Sequence, residues 1–236
     1  MRLPPQAILF DLDGTLVDSL PGITWAARAA LAEVQPGSEL PDLRPLLGPP
    51  IREIFLRVLP DALPAMLTAL EREFRATYDD EGWRKTVAFP GVLETLSELK
   101  SVGMRCFGVT NKPALATQRI LAHCGLDRFF EVFLSPDSRQ PAFASKSSAT
   151  RALLAEWHLE PRTTCLVGDT LDDAQAARAC GIAFVAYSGG YGWSGLCAEL
   201  PGVERFDDFP ALPALLLGHG MAEGRPAQPA PTTMKI

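Results

Sequence analysis

Two aspartates spaced two apart, Asp11 and Asp13, close a short apolar run and are followed at once by Gly14 and Thr15. A carboxylate at the end of a buried strand is costly unless it is paired, hydrogen-bonded or bound to a metal. Read alone, the segment is also an ordinary polar turn, because Asp and Gly are common turn residues. Three further polar sets bear on the choice: Thr110-Asn111-Lys112, Lys146, and Gly168-Asp169-Thr170-Leu171-Asp172-Asp173. Brought together, these carboxylates would repel one another and would need a cation. An all-oxygen donor set points to Mg²⁺, a hard ion that usually shares its shell with waters and substrate phosphate. Histidine and cysteine are missing from these positions, which argues against zinc. Lys146 adds a fixed positive charge and Thr110 a hydroxyl donor. Such a set suits phosphoryl transfer, in which catalysis consists of positioning and of neutralising the equatorial oxygens. One carboxylate can serve as the nucleophile and form an aspartyl-phosphate.

The elements that must position these residues are legible as punctuated apolar runs. Ala7 to Phe10 reads as a strand buried on both faces, and strand alternation would put Asp11 and Asp13 on one side if the strand continued that far. Helices are expected over Ile23–Val34, around Leu43 to Leu47, from Ile51 to Leu59, and from Leu63 to about Tyr78. Pro21 suits the first turn of the first of these. From Phe89-Pro90-Gly91 onward the pattern alternates. A helix from Val92 ends at Gly103, and a strand runs from Met104 to Val109. A helix then follows Pro113 and closes at Cys124-Gly125. Val132 to Leu134 is a short strand and Ser145 to Trp157 a helix. Thr163 to Val167 is a strand, Asp172 to Cys180 a helix capped by Gly181, and Ile182 to Ala186 a strand. Strands alternating with helices imply a mainly parallel sheet covered on both faces, an α/β Rossmann-like core. The stretch from 16 to 86 contains helices and no convincing strand, so it reads as an inserted all-helical cap. The core then comprises 1–15 and 87–215, and the Pro-, Ala- and Gly-rich stretch 216–236 reads as a flexible tail. Parallel sheets bind ligands at the carboxyl ends of their strands. Asp11 and Asp13, Thr110 to Lys112, Lys146 and Asp169 to Asp173 all follow strands, so they share one edge.

Bulk properties narrow the function classes. With 236 residues, 47% hydrophobic and 21% charged, the chain is of ordinary globular composition and large enough for one or two cores. A net charge of −6 and a pI near 5.1 leave no basic stripe for a nucleic-acid backbone, so no nucleic-acid partner is expected. No run approaches the roughly 20 apolar residues of a membrane span, and the N-terminus does not read as a signal peptide. The expected setting is therefore cytoplasmic, without membrane, as a monomer or homodimer. The five scattered cysteines form no CxxC pair and read as reduced thiols, Cys106 and Cys165 in the core. No GxSxG elbow, Walker A sequence or GxGxxG after the first strand is present. His123, His158 and His219 fall on helices or in the tail and read as surface residues.

Asp11-Leu12-Asp13-Gly14-Thr15 with Thr110, Lys146 and Gly168 to Asp173 resembles the haloacid dehalogenase (HAD) superfamily over about residues 6 to 210. Phe10 to Ser19, Leu47-Gly48-Pro49-Pro50 and Tyr187 to Gly192 are most similar to its phosphoglycolate-phosphatase-like branch, with a small helical cap. The resemblance implies Asp11 as nucleophile and Mg²⁺ ligand. It implies Asp13 as acid to the leaving alkoxide and base to water, with its backbone carbonyl on the metal. Thr110 and the Asn111 region would hold phosphoryl oxygens, Lys146 would orient Asp11, and Asp169 would bind Mg²⁺. Asp173 fits the second acidic position of the fourth motif, acting through metal-bound water; Asp172 is the adjacent alternative and otherwise a helix N-cap. Two features need weighing against the family. Lys146 lacks the following proline of many relatives, and Arg139 is a rival cation in the same loop. Asp13 is an acid where dehalogenases have none, which favours phosphate over carbon–halogen chemistry. On the cap side, Gly48 with Arg52 or Arg28 is expected to meet substrate, the plain reading being a helix break with exposed arginines. Gly189, Gly190 and Gly192 either edge the site or form a simple loop. The expected activity is hydrolysis of a small phosphorylated metabolite such as a phosphoglycolate-, nucleotide- or sugar-phosphate-like ester. A phosphomutase of the same superfamily and a receiver-type phosphorylation switch are the alternatives.

Overall fold

A computed structural model of the chain describes residues 5–218. Numbered in chain order, the strands are β1 (Ala7–Phe10), β2 (Val17–Asp18), β3 (Val87–Ala88), β4 (Arg105–Val109), β5 (Phe133–Leu134), β6 (Thr164–Gly168), β7 (Ala183–Tyr187) and β8 (Arg205–Phe206). The α-helices are α1 (Leu20–Val34), α2 (Ile51–Val58), α3 (Pro64–Asp80), α4 (Val92–Ser101), α5 (Ala114–His123), α6 (Lys146–Glu156), α7 (Leu171–Cys180), α8 (Trp193–Glu199) and α9 (Leu212–Leu217).

Six strands form one parallel sheet in the order β5-β4-β1-β6-β7-β8. β1 is central, paired to β4 on one side and β6 on the other, and all four of its residues are buried. Its alternation serves two layers, as period-two geometry requires. Ile8 and Phe10 join the apolar cluster holding Val92, Leu96 and Ile120, whereas Ala7 and Leu9 join that of Leu153, Leu154 and Ala177. A strand so placed has solvent only beyond its ends, and its carboxyl end carries Asp11.

A separate apolar cluster binds α1, α2 and α3, with Ala26, Ala27 and Ala30 packed beside Phe55, Leu70 and Phe74. This unit is joined to the sheet through a two-stranded antiparallel ribbon, Val17 opposite Ala88 and Asp18 opposite Val87. The ribbon corrects the expectation that 16–86 lacks strands and sits at both of its limits. Two residues per strand are too few to show any periodicity. α1 also begins at Leu20 rather than Ile23, with Pro21 in its first turn as anticipated. Regular structure continues beyond β7, the last element expected. The Gly-rich stretch leads into α8, then β8 and α9, so Leu216 and Leu217 are helical and not part of a tail. The flexible tail expected beyond Gly218, His219 included, lies outside the described residues, as do residues 1–4.

Cys106 and Cys165 sit side by side on β4 and β6, across β1, and burial pushes both thiols up to about 12 from the ordinary 9.0. Raised values mean that their contribution to stability is complete below about pH 9 and is lost as pH rises towards 12. Iodoacetamide at pH 8 is therefore expected to leave both unmodified in the folded protein and to label both in urea, read by peptide mass spectrometry.

Candidate active site

β1 stops at Phe10, one residue before the first acid. The chain then turns, with the amides of Leu16 and Val17 donating to Leu12 O, and Gly14 N donating to Val17 O. Gly14 has φ +82°, and a Cβ there would stand 2.6 Å from Asp169 Oδ2, so both the turn and the crowding demand glycine. The turn separates the two aspartates. Asp11 points into a buried cluster with Asp169 and Asp173, whose carboxylate oxygens lie within 4.8 Å of one another. Asp13 pairs instead with Lys112, whose Nζ donates to both its oxygens at 3.0 and 3.1 Å.

Lys146 is the cation of the buried cluster. It is the first residue of α6, behind a capping box between Ser145 and Ser148, and is 4% exposed. Its Nζ donates to Asp11 Oδ1 at 2.9 Å and to Asp173 Oδ1 at 2.6 Å. Arg139, the rival from the same loop, pairs with Glu156 on the partly exposed outer side. Asp173 is fixed in turn by a second capping box. Its Oδ2 accepts from Thr170 N at 3.0 Å and Thr170 Oγ1 at 2.6 Å at the start of α7. Thr170, not Asp172, is therefore the N-cap, which corrects the plain reading of Asp172. Asp172 Oδ2 instead accepts from Asn111 Nδ2 at 2.9 Å.

Asp169 is held by Thr15 Oγ1 at 3.0 Å and by Gly192 N at 3.0 Å. A Cβ on Gly190 would stand 2.2 Å from Asp169 Cβ and one on Gly192 2.8 Å from Asp169 O, so these two glycines pack closely behind this acid. Tyr191, between them, accepts on its hydroxyl the amides of Ser19 and Leu20 and donates to Asp18 Oδ1 at 2.5 Å. The same loop thus grips both Asp169 and the ribbon leading to α1. Burial and the charge of Asp173 push Asp169 up to about 7. Burial likewise raises Asp11 well above the usual carboxylate range, against the pull of Lys146.

Fully ionised, three carboxylates against one ammonium would leave two negative charges in a buried site, and the raised values of Asp11 and Asp169 reflect burial together with that excess. The donors are all oxygen, and their excess charge matches a divalent hard cation, so the residues present fit Mg²⁺. The carboxylate of Asp13 stands outside that trio and pairs with Lys112.

The cluster opens on a pocket between the sheet edge and the helical unit. Asp11, Asp13, Thr110, Asn111, Lys112 and Lys146 line its floor, and Gly48 with Pro49 and Pro50 one wall. Asn111 Nδ2 also donates to Gly48 O at 3.2 Å, joining floor and wall. Arg52 is not brought here: it bonds Thr68 Oγ1 and Pro64 O and pairs with Glu71. Arg28 lies in a different surface hollow with Leu31 and Ser38. Arg75, Tyr78 and Asp79 line the pocket without having been expected there, and Lys112, expected at this edge, had been given no role. Lys112 directly follows the expected Thr110-Asn111 pair, a signal that was available. Arg75 and Asp79 sit on a helix whose facing is invisible without its packing.

A family model described as haloacid dehalogenase-like hydrolase matches residues 8–187. The chain belongs to this family. It is 35% identical over 223 residues to the plasmid-borne phosphoglycolate phosphatase of Cupriavidus necator, covering 92% of this chain and 95% of that protein. It is 33% identical over 192 residues to the tyrosine-protein kinase PtkA of Mycobacterium tuberculosis, covering 80% of this chain but only 64% of that one. Its fold matches the crystal structure of a predicted phosphoglycolate phosphatase from Haemophilus somnus 129Pt with a TM-score of 0.78 at 28% identity, over 90% of this chain and 98% of that one. The expected superfamily, branch and α/β class all hold.

Lys146→Met leaves Asp11 and Asp173 buried without their cation, a loss on the order of 3–5 kcal/mol by the usual cost of breaking a buried pair. Urea unfolding at pH 7.5 without divalent ions is expected to show it as a lowered midpoint.

Proposed function

We propose that this chain is a Mg²⁺-dependent phosphomonoester hydrolase acting on a small phosphorylated metabolite through an aspartyl-phosphate on Asp11. One observation carries the reading: Lys146 bridges Asp11 and Asp173 beside Asp169, at the floor of a pocket that also presents Thr110 and Asn111. In this reading Asp11, Asp169 and Asp173 would hold Mg²⁺, which when bound would supply charge neutralisation for the phosphoryl oxygens. Lys146 engages Asp11 Oδ1 and leaves Oδ2 to attack phosphorus. Thr110 and Asn111 orient the phosphoryl oxygens. As the ester P–O bond breaks, Asp13 gives a proton to the leaving oxygen; it then takes one from the water that attacks phosphorus and frees Asp11. Lys112 Nζ donates to both oxygens of Asp13, so substrate must take the place of that pair for Asp13 to reach the leaving oxygen. The helical unit of about 16–86 serves as a cap on the 1–15 and 87–215 core, its Gly48 wall meeting Asn111.

The name of the Cupriavidus relative supports a phosphatase, and that of the mycobacterial one sets the rival outcome. The composition favours a partner that is neither nucleic acid nor membrane, and among the described residues no helix is long and apolar enough to cross a membrane.

Phosphate release from p-nitrophenyl phosphate with Mg²⁺ is expected, abolished by EDTA and restored by Mg²⁺. Asp11→Asn should lose at least about a thousand-fold with an unchanged far-UV spectrum, in the range of lost covalent catalysis. Retained activity in that variant would sink the mechanism. Phosphotyrosine formed from ATP on a peptide, without phosphate release, would favour the kinase reading. Mg²⁺ should stabilise the parent by about 2.7 kcal/mol at a hundred times Kd, read as a raised Tm, and leave the Tm of Asp169→Asn unchanged.

A further inference from the structure

Beyond the phosphate-binding floor, the pocket has an apolar lining. Ile23 from α1, Leu47, Ile51 and Ile54 from around α2, Phe74 from α3 and Ala116 from α5 all border it. Each is at least nine-tenths buried, so a ligand seated there meets a mostly apolar surface, to which Tyr78 adds a single buried hydroxyl. The charged groups that line the pocket are distributed in a telling way. Lys146 is taken by Asp11 and Asp173, and Lys112 by Asp13. Arg75 pairs with Glu71 at 3.2 Å and is 43% exposed at the rim, where water screens it. Asp79 lies one turn beyond Arg75 on the same helix; Arg119 donates to its backbone carbonyl, and among the described residues no ion pair engages its carboxylate.

A leaving group carrying its own anion would therefore enter an apolar enclosure with no uncommitted cation, next to a like charge. Desolvating a carboxylate there without a partner is costly, and the repulsion from Asp79 adds to it. An uncharged hydrocarbon portion has the opposite balance, since each buried methylene is worth about fourfold in binding.

We infer that the alcohol released by this enzyme is uncharged and largely apolar, so that the preferred substrate is the phosphomonoester of a neutral hydrophobic alcohol. A carboxylated or doubly phosphorylated small molecule is disfavoured. The inference rests on the phosphatase reading above and departs from the acid for which the Cupriavidus relative is named.

The test compares kcat/KM, with Mg²⁺, for ethyl, propyl and hexyl phosphate and for 2-phosphoglycolate. The alkyl esters have leaving groups of similar basicity, so differences among them report the pocket. The expected result is a rise from ethyl to hexyl, with 2-phosphoglycolate at least tenfold below hexyl phosphate. Asp79→Asn should narrow that gap several-fold by helping only the anionic substrate. A flat alkyl series, or 2-phosphoglycolate preferred and its turnover lost in Arg75→Gln, would overturn the inference while leaving the phosphatase reading intact. If no ester is hydrolysed, the catalytic reading fails, and binding still decides the pocket's preference. Heptylphosphonate and 3-phosphonopropionate, the methylene isosteres of the two extremes, are then compared by calorimetry on the Mg²⁺-loaded protein. Tighter heptylphosphonate upholds the inference and tighter 3-phosphonopropionate overturns it.

Discussion

Lys146 lies between two buried carboxylates, and much of the rest of the site is arranged around that contact. Its ammonium reaches Asp11 at 2.9 Å and Asp173 at 2.6 Å from the first turn of α6. Without it, the carboxyl end of the central strand would present two acids to one another in a poorly solvated place. With it, Asp11, Asp169 and Asp173 still outnumber the one cation among them. Burial and that surplus of acids together raise Asp11 and Asp169 above the usual carboxylate range.

The supports of this contact are local devices repeated. Ser145 caps α6 and so aims Lys146, while Thr170 caps α7 and so fixes Asp173. In both, the capping hydroxyl binds the amide three residues on, and the side chain at that position answers it. Asp169 has no cap of its own and depends on Thr15 from the β1 turn and the Gly192 amide from the loop after β7. That loop also carries Tyr191, whose hydroxyl receives the first amides of α1. Asp169 of the acidic trio and the entry to the helical unit are thus held by neighbouring residues. A change in the angle of that unit would be felt at Asp169 through a single peptide.

Much of this was legible in the residues alone, for identifiable reasons. β1, β4, β6 and β7 are short apolar runs ended by polar residues, and a parallel sheet forces such ends to one edge. The helices of 92–180 carry strong punctuation at Gly103, Pro113, Gly125 and Gly181. Elements of two residues escaped, as the ribbon of Val17–Asp18 and Val87–Ala88 did, because they have no period and exist only through pairing. α8 and α9 escaped because glycine and proline at their starts read as loop. Arg52 was expected at the site because it follows Gly48-Pro49-Pro50, but α2 turns it towards α3, where Thr68 and Glu71 engage it.

The sequence by itself placed Asp11, Asp13, Thr110, Lys146 and Asp169 at one sheet edge and left Asp173 against Asp172 and Lys146 against Arg139 open. Those placements follow from residue type and strand order, both one-dimensional. Only the tertiary structure decided the partners: Asp13 to Lys112 rather than to the trio, Asp172 to Asn111, Arg139 to Glu156 outside. It alone also turned Ile54, Phe74, Arg75 and Asp79 into the walls of the pocket. Ion pairs and pocket walls depend on distances of a few ångströms between residues far apart in the chain. Helix rotation and packing set those distances, and no local pattern of residue types encodes them.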